Sequence, residues 1–405
     1  MFKQTLLAAA VTTASVSIYA TPTSEDMWQK IQEQQTEIKA LTTQLNETEI
    51  KISAAADAIE NNVSAGSKLA AWAEKTTVGG YGEMHYNNLD NQLDGGKDDK
   101  DELDLHRFVL FFGHQFTDDV RFYSELEVEH SISGEGQVGE VEVEQAFVEW
   151  DYSETQSAKA GTFLMPVGIL NETHEPDTFY GVERNSVEKN IIPATWWEGG
   201  VSLSGEIAEG LSYDAALTSG LYLEDGKYKI RDGRQKAGEA KADDFSYTAR
   251  IKYTGIQGLE LAATLQYQED ILQGETHSSG ATNIDGVLLE THLTYQTGPF
   301  ALRALYASWN LDKALSATKT GADEQKGWYI EPSFKATEKV GVFARYGAWD
   351  NQASDSADSE ITQLDLGVNY WLADSVVLKA DYQNQTVPKG QDEFDGINLG
   401  VGWSY

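Results

Sequence analysis

The chain has 405 residues, 65 acidic against 30 basic side chains, a formal net charge of −35 and no cysteine. That balance argues against nucleic-acid binding, which needs a basic footprint, and the missing thiols exclude a disulfide framework or a thiolate metal site. Thirty-six Gly, 19 Tyr and 10 Trp beside only 7 Pro describe a barrel with a wet interior better than a soluble enzyme.

Residues 1–20 read as a secretory signal peptide, with Lys3 at the positive start, an apolar run from Leu6 to Ile18 and a cleavage position at Ala20. Beyond it no run of 18 apolar residues exists, so no transmembrane helix is expected. Residues 21–68 read as a periplasmic stalk and its linker. Ile31, Ile38, Leu45, Ile52 and Ile59 recur every seven residues, and Gly and Pro are absent from 26–63. Strict heptad spacing of aliphatic residues predicts an α-helical coiled coil over 26–63, with three strands the expected number and Asn61–Lys68 as the joint. The stalk can also contact peptidoglycan or a periplasmic partner.

From Thr77 the apolar period becomes two. Short turns at 117–119, 153–155, 208–210, 255–258, 297–299, 337–339 and 373–375 alternate with longer polar segments such as 89–102, 222–242 and 270–282. Short turns on one side and long loops on the other are the asymmetry of outer-membrane barrels. Seven turns, with one strand before and one after, predict a 16-stranded antiparallel transmembrane β-barrel over 77–405. The fold class is therefore all-β with an N-terminal helical segment. Its last strand, Gly396–Tyr405, alternates apolar and small residues and ends on an aromatic ring, as a closing strand does. The acidic runs Asp90–Asp104 and Asp350–Glu360 read as solvated loops.

Alternation also sorts lumen from lipid. On the third strand Val120, Phe122, Leu126 and Val128 face lipid, leaving Arg121, Glu125, Glu127 and Glu129 inward. On the fourth Val141, Val143 and Phe147 face lipid, leaving Glu140, Glu142 and Glu144 inward. A charge facing lipid at mid-depth would cost about 2–4 kcal/mol, least for carboxylates, which supports that sorting. Arg250, Lys252, Arg303, Arg345 and Lys379 lie on later strands. An acidic wall facing a basic wall would set a transverse field across the pore; otherwise these charges keep the lumen wet.

Residues 165–195, between the fifth and sixth strands, form the longest structured connection and are the expected constriction loop. It carries Glu172, His174, Glu183, Arg184, Glu188 and Lys189 to the pore, unless Glu183–Arg184 and Glu188–Lys189 are pairs pinning the loop to the wall.

At 157–200 the chain carries Gly161-Thr162-Phe163, then Pro166-Val167-Gly168, then Glu183-Arg184. These motifs resemble the porin O/P family of phosphate-selective porins. The resemblance implies a sixteen-stranded, trimeric outer-membrane diffusion channel. The Arg ladders and Lys clusters of that family's phosphate-selective members do not align here, so phosphate, sugar and siderophore all remain open as solutes. The expected activity is passive diffusion of small hydrophilic or charged solutes, with no enzyme activity, cofactor or metal. A lipid-hydrolysing barrel is the rival reading, but His174-Glu175 has no metal-ligand partner at helical or hairpin spacing and no sequence pattern supports a catalytic triad.

Overall fold

The computed structural model describes residues 24–405, so the predicted signal peptide lies outside the described residues. Two units separate, one ending at Trp72 and one running from Ala73 to Tyr405.

The first unit is built on helix α1, Ser24–Glu74. At 1.5 Å per residue its 51 residues extend about 77 Å. The helix runs unbroken through 61–68, so the expected joint there is helical instead; a single Gly costs a helix only about 1 kcal/mol. Its threonines fit because Thr36, Thr42, Thr43 and Thr48 each donate a side-chain hydrogen bond to the carbonyl four residues back. Ile31, Ile38, Leu45 and Ile52 are 44–64% exposed, a bare aliphatic seam along one chain.

The second unit is one closed antiparallel barrel. Its strands are β1 Thr76–Asn91, β2 Lys100–Gln115, β3 Val120–Glu129, β4 Val141–Ser153, β5 Gln156–Leu164, β6 Trp197–Ala208, β7 Leu211–Thr218 and β8 Ser246–Tyr253. They continue as β9 Leu259–Gln268, β10 Gly286–Thr297, β11 Phe300–Leu311, β12 Glu324–Lys335, β13 Val340–Asp350, β14 Ile361–Ala373, β15 Val376–Thr386 and β16 Phe394–Ser404. Each strand pairs with its neighbours in sequence, and β1 closes on β16 over Tyr81–Asn91. Beyond β16, Tyr405 exchanges both backbone hydrogen bonds with Gly80, at 2.9 and 3.0 Å. The expected strand count and the turn-and-loop asymmetry both hold.

Alternation also holds along most strands. On β9 Leu261, Ala263, Leu265 and Tyr267 are exposed on the outer face while Ala262, Thr264, Gln266 and Gln268 are buried inside. On β4 it changes phase. Glu125 pairs with Gln145 but Leu126 pairs with Val143, so Glu144 is the extra residue of a β-bulge. Past the bulge the inward set becomes Gln145, Phe147 and Glu149. Phe147, expected to face lipid, is 7% exposed and packs inside against Tyr123, while Val148 and Trp150 take the outer face.

The long loops are less polar in their folding than in their composition. Leu221, Leu223 and Ile230 from 219–245, Ile271, Leu272 and Ile284 from 269–285, and Leu315 all join one buried cluster. The same cluster takes Val187, Ile191 and Ile192 of the 165–195 connection, with Trp196 and Trp309. Much of the barrel's interior at the loop end is thus a conventional apolar core. Burying each such side chain contributes about 1.5–3 kcal/mol.

Candidate functional site

The connection between β5 and β6 folds into the barrel. Asn171 closes it at its base: its Nδ2 donates to the Met165 and Trp196 carbonyls at 2.7 and 2.9 Å, and its Oδ1 accepts from the Trp196 amide at 2.6 Å. Further on, Asn185 caps a short helix α2, Ser186–Ile191, by accepting from the Val187 and Glu188 amides. Helix α2 packs on β12 and β13 at two glycines. A Cβ on Gly327 would lie 2.8 Å from Val187 Cγ1, and one on Gly347 would lie 3.1 Å from Val187 Cγ2. Only glycine there lets the helix approach so closely.

Glu188 is not at the pore. It is fully buried: Oε2 accepts from the Ile169 and Leu170 amides at 3.0 and 2.7 Å, and Oε1 accepts from the Tyr329 hydroxyl at 2.7 Å. Burial raises its carboxyl above the ordinary carboxylate range, partly offset by those hydrogen bonds. The pinning role weighed for the Glu188–Lys189 pair belongs to Glu188 alone. Lys189 is exposed.

The expected basic wall is tied up locally. Arg250 pairs across strands with Asp214 and reaches Glu172 on the loop. Arg345 binds Glu331 at 2.6 Å, faces Asp365 and donates to the Tyr180 carbonyl at 2.6 Å. Lys252 lies 3.8 Å from Glu260, and Arg303 donates to the Thr178 carbonyl at 2.8 Å. Lys379 is buried with its ammonium 3.6 Å from the centre of the Phe179 ring. Alternation showed which way these side chains point but not that carboxylates on adjacent strands neutralise Arg250, Lys252 and Arg345. Arg121, placed in the acidic wall, is likewise held by Glu149 and Asp151.

The glutamates of β3 and β4 lie together, and the loop covers part of them. Glu125, Glu127 and Glu144 are at most 2% exposed, whereas Glu129 and Glu142 are partly open. His174 reaches them from the loop, its Nε2 3.4 Å from Glu144 and 3.7 Å from Glu125. Burial alone would lower the His174 imidazole, but those two carboxylates hold it up, to about 10. Glu183 is tied to β1, accepting from His85 and Asn87 at 3.0 Å each. Arg184 donates to Thr195 Oγ1 at 3.3 Å, and Thr195 in turn donates to Glu144 at 3.1 Å.

The positive counterpart of the acidic wall comes from a loop that sequence reasoning left as polar filler. Arg231 donates to the Lys189 and Ala194 carbonyls at 2.8 Å each, and Arg234 to the Thr195 carbonyl. Lys236 bridges Glu140 and Glu142. Desolvation first, and the charges of the neighbouring arginines second, lower the guanidinium pKa of Arg231 and Arg234, yet an arginine stays protonated in proteins. Arg184, Arg231 and Arg234 thus gather within electrostatic reach of Glu129 and Glu144. The available signal was Ile230-Arg231-Asp232-Gly233-Arg234: an apolar anchor, a 3₁₀ turn over Ile230–Gly233 and two arginines three apart.

At the turn end the lumen opens into two cavities. One of about 610 Å³ is lined by Arg121, Glu125, Glu149, Glu172, His174 and Glu175. Another of about 530 Å³ is lined by Glu172, Arg250, Lys252, Glu260 and Arg303, among others.

Comparison with known proteins agrees with this architecture. Residues 53–389 match the family described as Gram-negative porin. An uncharacterized protein of Aquifex aeolicus (strain VF5) is 30% identical over 388 residues, covering 84% of this chain and 82% of its own. Among solved structures, an anion-selective porin from Comamonas acidovorans superposes with a TM-score of 0.58 at 13% identity, over 82% of this chain and 99% of that one. The outer membrane channel DcaP of Acinetobacter baumannii gives 0.57 at 15% identity, over 82% and 97%. OmpF of Salmonella typhi, in complex with daunomycin, gives 0.57 at 14% identity, over 82% and 97%. At these identities the structures speak for the fold alone.

Proposed function

Because the chain belongs to the Gram-negative porin family and is an outer-membrane channel for passive diffusion of small hydrophilic solutes, we propose that the 165–195 and 219–245 loops set its selectivity. The carrying observation is that Arg184 and Arg234 both donate to Thr195, whose hydroxyl donates to Glu144, while Lys236 bridges Glu140 and Glu142, so the cations of these loops lie beside the acidic residues of β3 and β4. Such a field orders water and favours polar or zwitterionic solutes over apolar ones. Glu172, Glu183, Lys189, Glu129 and Glu142 keep enough exposure to meet solute, whereas Glu125, Glu144, Arg345 and Lys379 act by holding the loop. The motifs at 157–200 support a place near the porin O/P branch. Planar-bilayer recording of the purified protein tests the reading. It should show stable ohmic openings, and phosphate, simple sugars and a ferric siderophore added as blockers would identify any favoured solute. A preparation that hydrolyses lipid esters without conducting would sink it.

The seam of α1 supports a parallel trimeric coiled coil and hence a homotrimer, because a bare aliphatic row is unfavourable in water. Contact of this helix with peptidoglycan or a periplasmic partner is compatible with that role. Deleting residues 26–63 should shift the native complex from trimer to monomer in detergent, read by light scattering. Trimers of unchanged stability would assign trimerisation to the barrel.

A further inference from the structure

We propose that Glu125, Glu144 and His174 form a binding site for a divalent transition-metal ion of the zinc class, which fastens the 165–195 loop to the β3–β4 wall. The three residues come from three separate elements, and one ligand atom from each lies within 4.8 Å of the others.

The donor atoms meet as ion pairs rather than as hydrogen bonds, and Glu125 Oε1 also accepts from the Tyr81 hydroxyl at 3.4 Å. His174 Nε2 and Glu144 Oε2 are buried and have no hydrogen-bond partner. Their separation of 3.4 Å, and the 3.7 Å to Glu125 Oε1, are long for hydrogen bonds. They suit a metal cage: with bonds of about 2.0–2.2 Å, neighbouring ligand atoms of a tetrahedral zinc site stand roughly 3.3–3.5 Å apart.

The outer contacts are those a metal ligand needs. His174 Nδ1 donates to the Asn171 carbonyl at 3.1 Å, which fixes the ring and turns Nε2 toward the two carboxylates. The second oxygen of Glu125 accepts from Gln145 Nε2 at 2.7 Å, and that of Glu144 from Thr195 Oγ1 at 3.1 Å. Each ligand thus has its orienting partner on the side away from the centre. Glu144 itself is the bulged residue of β4, and a bulge is a common way to re-aim a side chain.

Charge argues the same way. Glu83, Glu125, Glu127 and Glu144 are all buried, and Glu127 Oε2 has no hydrogen-bond partner. Arg107 is the buried guanidinium among them; it binds Glu83 at 2.7 Å and stands 4.0 Å from Glu127, so neither Glu125 nor Glu144 is its ion-pair partner. Buried carboxylates need compensating charge; protonated His174 gives Glu125 and Glu144 one unit, and a divalent ion that displaces its proton gives two. One histidine and two carboxylates form a set that zinc accepts. The 610 Å³ cavity touches both Glu125 and His174, so an ion can enter from the turn end.

Two further histidine groups must be separated from this one, and His106 belongs to both: one has His85 and Glu183, the other Asp104 and His130. Asp104 Oδ2 accepts from His106 and His130 at 3.1 and 2.8 Å at the opposite end of the barrel, so its donors are already satisfied. The test therefore uses the full chain carrying His106→Asn and His130→Asn as parent. Protein in detergent is stripped with EDTA, exposed to ZnCl₂ and desalted, and zinc per chain is read by mass spectrometry. The parent should retain one more zinc per chain than the same protein with His174→Asn or Glu144→Gln added, each checked for folding by heat-modifiable migration. Equal zinc contents would overturn the site. Should either variant fail to fold, Co²⁺ added to the parent decides: intense visible bands of a low-coordinate ion, bleached by one equivalent of Zn²⁺, support the site, and the weak spectrum of hydrated Co²⁺ overturns it.

Discussion

Replacing Glu188 with alanine is expected to release the 165–195 loop while leaving the barrel closed. The substitution strands three donors in a place that water does not reach: the Ile169 and Leu170 amides and the Tyr329 hydroxyl. An unsatisfied buried donor costs about 1–3 kcal/mol, so the local loss is roughly 3–6 kcal/mol after some relaxation. It falls on one loop, because the strand ladders do not pass through Glu188. Helix α2 would lose its hold on the Ile169–Leu170 turn and on β12 together. Limited proteolysis within 165–195 should accelerate at least about tenfold, since an opening shifted by 1.4 kcal/mol already gives that factor. Channel recordings should become noisy on the same protein. Glu188→Gln separates hydrogen bonding from charge: its carbonyl can still accept both amides, and its amide can donate to Tyr329, so most of the protection should return. Wild-type cleavage rates in Glu188→Ala would show that apolar packing of Val187 and Ile191 holds the loop unaided.

The barrel was legible in the sequence because a half-lipid, half-water strand must alternate, and because turns and loops differ in length by end. Most strands obeyed that logic, β9 among them. It failed at Glu144, because one inserted residue inverts the phase of everything after it, and no composition marks a bulge between Val143 and Gln145. Phe147 was misplaced for that reason alone. The site was legible only in outline. Which segment enters the lumen could be read from the density of Pro, aromatic and charged residues in 165–195. Which of its charges would meet solute could not, since that depends on contacts between distant elements: Glu188 with Tyr329, Arg250 with Glu172, His174 with Glu144. The arginines of 219–245 were missed because the loop's polar composition hid three apolar anchors, Leu221, Leu223 and Ile230, that pull it inward.

Those arginines carry the second large effect. Converting Arg231 and Arg234 to glutamate changes the local charge by four units and sets four carboxylates, with Glu129 and Glu144, around one part of the lumen. The cation-to-anion permeability ratio should rise about tenfold at low salt, the lower end of what charged clefts do to local ion concentration. Above about 1 M salt, where the Debye length falls to roughly 3 Å, the shift should shrink, which distinguishes a field effect from a change of pore shape. Reversal potentials across a KCl gradient measure both. Replacing the same residues with glutamine separates charge from structure further. Glutamine can still donate to the Ala194 and Thr195 carbonyls, so the loop should stay docked while about half of the selectivity shift remains. Arg250→Gln serves as the control, because Arg250 is already neutralised by Asp214 and Glu172, and it should move the reversal potential far less. A shift from Arg250→Gln about half as large as that from the double glutamine variant, one charge unit against two, would mean that selectivity follows net lumen charge, and that the placing of these arginines beside the β3–β4 glutamates has no special part in it.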